Sequence, residues 1–210
     1  MRLLVFGASG GTGAQVLAQA LEAGHRVTAI ARNPNAIPER TGLQVRRGDV
    51  LAPDGWRNAV AGHEAVLSCL GSPDRCPTTI YSHGISNIIM AMQEHSVQRL
   101  MCVTTASLRL SPAAPLSYRL LINGLVKPLY RHPYADMARL EDLVSACDLA
   151  WTIVRPPRLT DGRLTGRYLT IADADLPRTP SLSRADLAHY LLHHVDDPAS
   201  LRATVRIAGT

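Results

Sequence analysis

Lysine is almost missing from this sequence. Of the 22 basic residues only Lys127 is a lysine, so any chemistry that needs one has a single candidate. The arginines are scattered rather than run together, and a single Phe leaves little on which to stack bases. A net charge of +5 distributed this way lacks the basic stripe interleaved with aromatics of a nucleic-acid surface, and it fits a small anionic ligand better. The four cysteines form no CxxC pair, which removes the usual redox and metal motifs. Cys69 and Cys102 lie among apolar residues and read as reduced core thiols. His189 and His193 stand four apart, but with no HExxH pattern and no third ligand they read as a solvated helix face, and no metal is expected. No apolar run reaches the about 18 residues that a bilayer span requires. The first apolar stretch, Leu3 to Ala8, is too short for a secretory signal, so the expected location is cytoplasmic, without stable membrane insertion.

What is present alternates regularly. Arg2 to Phe6 is a short apolar run stopped by glycine, the pattern of a buried parallel strand. Thr12 to Ala23 has helical spacing and stops at Gly24. Further strands are predicted at Arg26 to Ala31, Leu43 to Arg47, Ala65 to Leu70, Leu100 to Thr104, Trp151 to Arg155 and Thr204 to Ala208. Helices are predicted at Asp54 to Ala61, Tyr81 to His95, Asp136 to Cys147 and Ser183 to Val195, the last with Ser183 as N-cap. This alternation predicts a single α/β domain over residues 1–210 built on a doubly wound parallel sheet. One long connection, Pro112 to Pro133, breaks the rhythm and carries the apolar segment Tyr118 to Val126. Its place after a strand's C-terminal end predicts a lid, with a packed surface helix and a membrane-facing helix as the alternatives.

The first turn carries the most specific chemistry. Gly7-Ala8-Ser9-Gly10-Gly11-Thr12-Gly13 follows a strand and opens a helix, as a Rossmann-like phosphate site does. Gly7 permits the tight turn, Gly10 lets a pyrophosphate approach the backbone, and Gly13 lets the helix pack on the sheet. Ser9, Gly11 and Thr12 add donors to the helix N-terminus. The second strand ends at Arg32, where an NAD-selective site would keep a carboxylate. A guanidinium there clamps a 2′-phosphate, so the expected cofactor is NADPH. Asp49 can accept from the adenine amino group, Val50 can line the ring, and Leu70 and Gly71 close the fourth strand near the second ribose. Thr104 and Thr105 end the fifth strand beside the expected nicotinamide position, and Pro156 and Pro157 stiffen the end of the sixth. A Tyr-x-x-x-Lys proton shuttle is excluded, because the residue four before Lys127 is Asn123.

Several motifs in register extend this reading. GASGGTG at Gly7, RGDVL at Arg47, LGS at Leu70, PTTIYSHGISNIIMAMQEHSV from Pro77, TTAS at Thr104 and PPRLTDGRLTGRY from Pro156 resemble the biliverdin-IXβ reductase/flavin reductase family, a branch of atypical, NmrA-like short-chain dehydrogenases. The resemblance covers nearly the whole chain. It implies NADPH-dependent hydride transfer to a planar acceptor, a flavin such as FMN or riboflavin, biliverdin or a quinone. It also implies a monomer or weak dimer. Arg32 looks like the family's 2′-phosphate arginine, and Thr105 falls where the family has an active-site serine. Met137 and Arg158 stand where biliverdin-reducing members carry histidines, and Ser107 replaces a pocket aromatic. These departures favour a flavin or quinone over a tetrapyrrole, with Arg158 and Thr105 as the candidate catalytic residues. The rival readings are a non-catalytic NADPH sensor and an assembly factor that kept the fold without turnover.

Overall fold

The computed structural model describes residues 1–72, 74–110, 115–172 and 181–210. Its centre is β1 (Arg2–Phe6), four of whose five residues are buried. On one side β1 pairs in parallel with β2 (Arg26–Ala31), and β2 with β3 (Leu43–Arg47). On the other side follow β4 (Ala65–Ser68), β5 (Arg99–Val103), β6 (Ala150–Arg155) and β10 (Ala203–Gly209), all parallel. The order is β3-β2-β1-β4-β5-β6-β10-β8, where β8 is Tyr168–Ala172. The chain reverses its direction of travel across the sheet between β1 and β4, and in this architecture ligands bind outside the carboxyl ends of the strands at that point.

Helices cover both faces. α1 (Gly11–Glu22) packs beside α6 (Arg184–His193) on one face, and α2 (Ser82–Glu94) beside α5 (Arg131–Ala146) on the other. Each pair shields its own apolar layer, with Leu3, Val5 and Leu187 in one, and Phe6, Ile85 and Leu100 in the other. Ser183 caps α6 as its sequence position predicts, accepting from the Asp186 N–H.

Four expectations shift. First, the helix predicted at Asp54 to Ala61 is two short 3₁₀ turns, Pro53–Gly55 and Arg57–Val60. Gly55 disfavours a continuous helix, and the break lets Trp56 sink into the core, edge-on to Phe6 at 4.7 Å between ring centroids. Second, α5 begins five residues before the predicted start. Pro133 falls in its first turn, where a missing N–H costs nothing, so it does not break the helix. Third, the sheet is not wholly parallel. β8 runs antiparallel to β10 at the edge, and its mostly exposed residues carry no clean alternation to betray it. Two short strands, β7 (Leu159–Thr160) and β9 (Leu182–Ser183), pair apart from the main sheet. Fourth, the long connection is helical where described. It comprises α3 (Leu116–Leu121), a π-helical turn (Ile122–Val126) and α4 (Lys127–Leu129), and it leads into α5. Residues 111–114 of that connection lie outside the described residues. Among the described residues no helix is long and apolar enough to cross a membrane.

α2 and α5 are tied by one fully buried carboxylate. Tyr81, the residue before α2, offers no side-chain cap. Asp136 of α5 takes over the task, accepting from the Tyr81 N–H at 2.9 Å, the Ser82 N–H and the Ser82 hydroxyl. Arg139 of the same helix donates to it at 3.0 Å. Removing one partner of such a network strands buried donors. Asp136→Ala is expected to lower unfolding free energy by about 3 kcal/mol in urea titration. A loss of a few tenths would show that α2 does not need this cap.

Candidate functional site

The glycine loop is shaped by close approaches. Gly7 has a φ of +73°, and a Cβ on it would lie 2.2 Å from the Cys69 carbonyl oxygen at the end of β4. A Cβ on Gly13 would lie 2.2 Å from the Gly7 carbonyl oxygen, so α1 can rest on the loop only as glycine. Gly10 precedes α1 with no side-chain cap, and no acidic residue sits in the helix's first turn. The first N–H groups and the positive end of the helix dipole are therefore available to an anion.

A cavity of about 510 Å³ opens over this loop. Among the sequence-predicted residues, Gly7, Ser9, Gly10, Gly11 and Thr12 form one end of it, with Arg32 from the end of β2. Asp49, Val50, Leu70, Gly71 and Thr104 continue the wall. Asp49 spends one carboxylate oxygen on the Leu51 N–H at 2.9 Å, and its carbonyl accepts from the Trp56 indole at 2.6 Å. The Val50 carbonyl accepts from the Asn87 amide, which fixes that shelf. The Tyr81 hydroxyl accepts from the Ser72 N–H at 2.9 Å and so positions the chain just past Gly71.

Thr104 is held from behind. Its hydroxyl donates to the Glu141 carboxylate at 2.9 Å, and Glu141 is buried and gripped by Arg155 at 2.8 and 2.6 Å. The Thr104 proton is thus committed away from the cavity. Thr105 is not on the cavity wall. Its side-chain oxygen accepts from the Ser107 N–H, and the hydroxyls of Thr105 and Ser107 both meet the Tyr134 phenol. Burial pushes that phenol's pKa up, and the two hydroxyls pull against it. Tyr134 stacks on Tyr130 at 5.9 Å, and the Arg75 guanidinium lies over Tyr130 at 4.8 Å. Met137, three residues after Tyr134 on α5, lines the cavity with Ile80 and Leu159.

Other predicted residues are placed elsewhere. Gly13 lies beneath the loop and not on the wall. Pro156 and Pro157 are buried braces, the Pro156 carbonyl accepting from the Ala106 N–H at 2.8 Å. Arg158 is exposed and away from the cavity, its carbonyl accepting from the Leu182 N–H. Burial pushes the Cys69 thiol up to about 12 and Cys102 higher still, so neither is a nucleophile. His189 bonds the Tyr168 hydroxyl at 2.8 Å and stacks on His193. Among the described residues no three His, Cys, Asp or Glu are grouped to hold a metal.

Sequence reasoning missed Arg184. This first residue of α6 lines the cavity, and its Cδ and Nε would lie 2.7 and 2.8 Å from a Cβ on Gly11. Its guanidinium is held by Asp161 at 2.6 Å. Nothing local marks it, because only the packing of α6 on α1 brings it to the loop.

A parallel sheet with an uncapped glycine loop at its switch point defines a dinucleotide-binding Rossmann-type protein. The chain belongs to the NAD(P)H-binding family, whose family model matches residues 7–198. It is 27% identical over 214 residues to a 2-alkyl-3-oxoalkanoate reductase of Stenotrophomonas maltophilia, which covers 91% of the chain. The chain spans 64% of that relative's length. A short-chain dehydrogenase/reductase of Veillonella parvula, solved in complex with NADP, superposes with a TM-score of 0.83 at 18% identity, covering 99% of this chain and 94% of its own. A Streptococcus pneumoniae structure assigned as an NADH-flavin reductase gives 0.79 at 21% identity and covers the whole of both chains. At these identities the two structures bear on the fold.

An arginine over a phosphate cradle adds charge-assisted hydrogen bonds. Arg184→Met is expected to weaken NADPH binding about tenfold in fluorescence titration with little change in melting temperature. Unchanged affinity would mean that Asp161 keeps this guanidinium from the cofactor.

Proposed function

We propose that the chain is an NADPH-dependent reductase that delivers hydride to a planar acceptor, a flavin or a quinone. The observation that carries this reading is one continuous cavity with two chemically different ends. One end is main-chain N–H and arginine, and the other is apolar, walled by Leu70, Ile80, Met137 and Leu159. When bound, the nicotinamide supplies the hydride. The α1 N-terminus and Arg184 hold the pyrophosphate, Arg32 holds the 2′-phosphate, and Val50 with the second carboxylate oxygen of Asp49 receives the adenine. Thr104, fixed by Glu141 and Arg155, forms the wall beside the nicotinamide. Leu70, Ile80, Met137 and Leu159 exclude water from the acceptor. A flavin or quinone that takes a hydride also takes a proton. Solvent supplies that proton to a reduced flavin or quinone. Thr105 and Arg158, the residues first expected to be catalytic, both lie off the cavity wall.

A second reading, reduction of a 3-oxo acid carbonyl, draws on the name of the Stenotrophomonas relative and on Tyr134. It requires a phenol that works without a lysine, since the residue four positions after Tyr134 is Ala138. The test is turnover. Purified chain is mixed with NADPH and, in turn, FMN, riboflavin, a soluble quinone, biliverdin and a 3-oxo acid, while the nicotinamide absorbance is followed. Oxidation with flavin or quinone is expected. Tight binding with no oxidation by any acceptor would overturn the enzyme reading and favour a sensor. The cofactor choice is tested separately, with Arg32→Asp expected to weaken NADPH at least about tenfold more than NADH. Equal losses would show that Arg32 does not touch the 2′-phosphate.

A further inference from the structure

Residues 116–131 form a helical arm that the proposed chemistry does not use. α3 buries none of its six residues, and in the π-helical turn only Ile122 is buried. Leu116, Leu120, Leu121, Leu125 and Leu129 are between 44% and 69% exposed. So many leucines around one helix belong against something apolar.

Charge says what that is. From residue 110 to residue 135 the chain has no Asp or Glu, while Arg119, Lys127 and Arg131 stand on the arm. A second copy docked arm to arm would set these cations against one another, with no carboxylate on the arm to neutralise them. Closure over the cleft would need the arm on the cavity wall, and no residue of the arm lies there. An anionic bilayer surface matches both features, with leucines in the headgroup–acyl boundary and cations at the phosphates. The arm is too short to span, so it can only lie on the surface.

We infer that residues 116–131 are an interfacial helix that seats the protein on an anionic membrane. Past Arg131 the chain continues in α5, whose Met137 lines the apolar end of the cleft, so the seat brings that end toward the bilayer. There, if the reductase reading holds, a lipid-soluble quinone is at hand.

Flotation of the full chain with vesicles tests the seat without any acceptor. Vesicles of phosphatidylcholine with about one third phosphatidylglycerol should carry most of the protein, and pure phosphatidylcholine about tenfold less, with release by salt. The double variant Leu120→Glu, Leu125→Glu should lose flotation and keep NADPH binding and melting temperature. Absence of flotation on anionic vesicles, or equal flotation of the variant, would overturn the inference. So would a wild-type dimer in solution that the double variant dissolves, since the arm would then belong to a second copy. NADPH oxidation by soluble FMN, measured without vesicles, reports on the reductase reading independently.

Discussion

Two buried carboxylates on α5 hold the apolar half of the cleft together. Asp136 fastens the start of α2, and Glu141, one and a half turns further on, fastens the ends of β5 and β6 through Thr104 and Arg155. A buried ion pair contributes little net stability compared with apolar packing, but it leaves a costly orphan if half of it is lost. Its value here is positional. α2, α5 and the two strand ends meet at the cavity, and each is fixed by hydrogen bonds that have one geometry rather than by apolar contacts that have many.

The two ends of the cleft are built from different materials. At the phosphate end the work is done by main chain, through glycines that let strand, loop and helix come within a Cβ's reach of each other. At the apolar end it is done by side chains from separate segments, Leu70, Ile80, Met137 and Leu159 among them. The first end suits any dinucleotide and the second selects what meets it.

That division explains what could be read from residues alone. The glycine loop, Arg32, Asp49 and Leu70-Gly71 each follow a strand within a few positions, so local pattern located them and the structure gathers them on one wall. The parallel core was legible for the same reason, since its central strands, β1 and β4, are nearly continuous apolar runs. β8 was not, because an exposed edge strand has no apolar face to alternate. Arg184 reaches the cleft only through helix packing, which sequence spacing does not encode. Arg158, expected at the site, lies off the cavity wall. Following two prolines placed it correctly along the chain, but its side chain faces solvent.

A cradle made of main chain has no side chains to lose. Any sequence that keeps three glycines and a strand–helix junction keeps its hydrogen-bond donors, because every residue but proline brings an N–H of its own. Drift can therefore run far before the phosphate end notices. Chains sharing 18% and 21% of their residues with this one still superpose along nearly all of it. The apolar end enjoys no such tolerance, since every change of side chain there is a change of wall, and it is the part of the molecule where chemistry can change while the fold stands still.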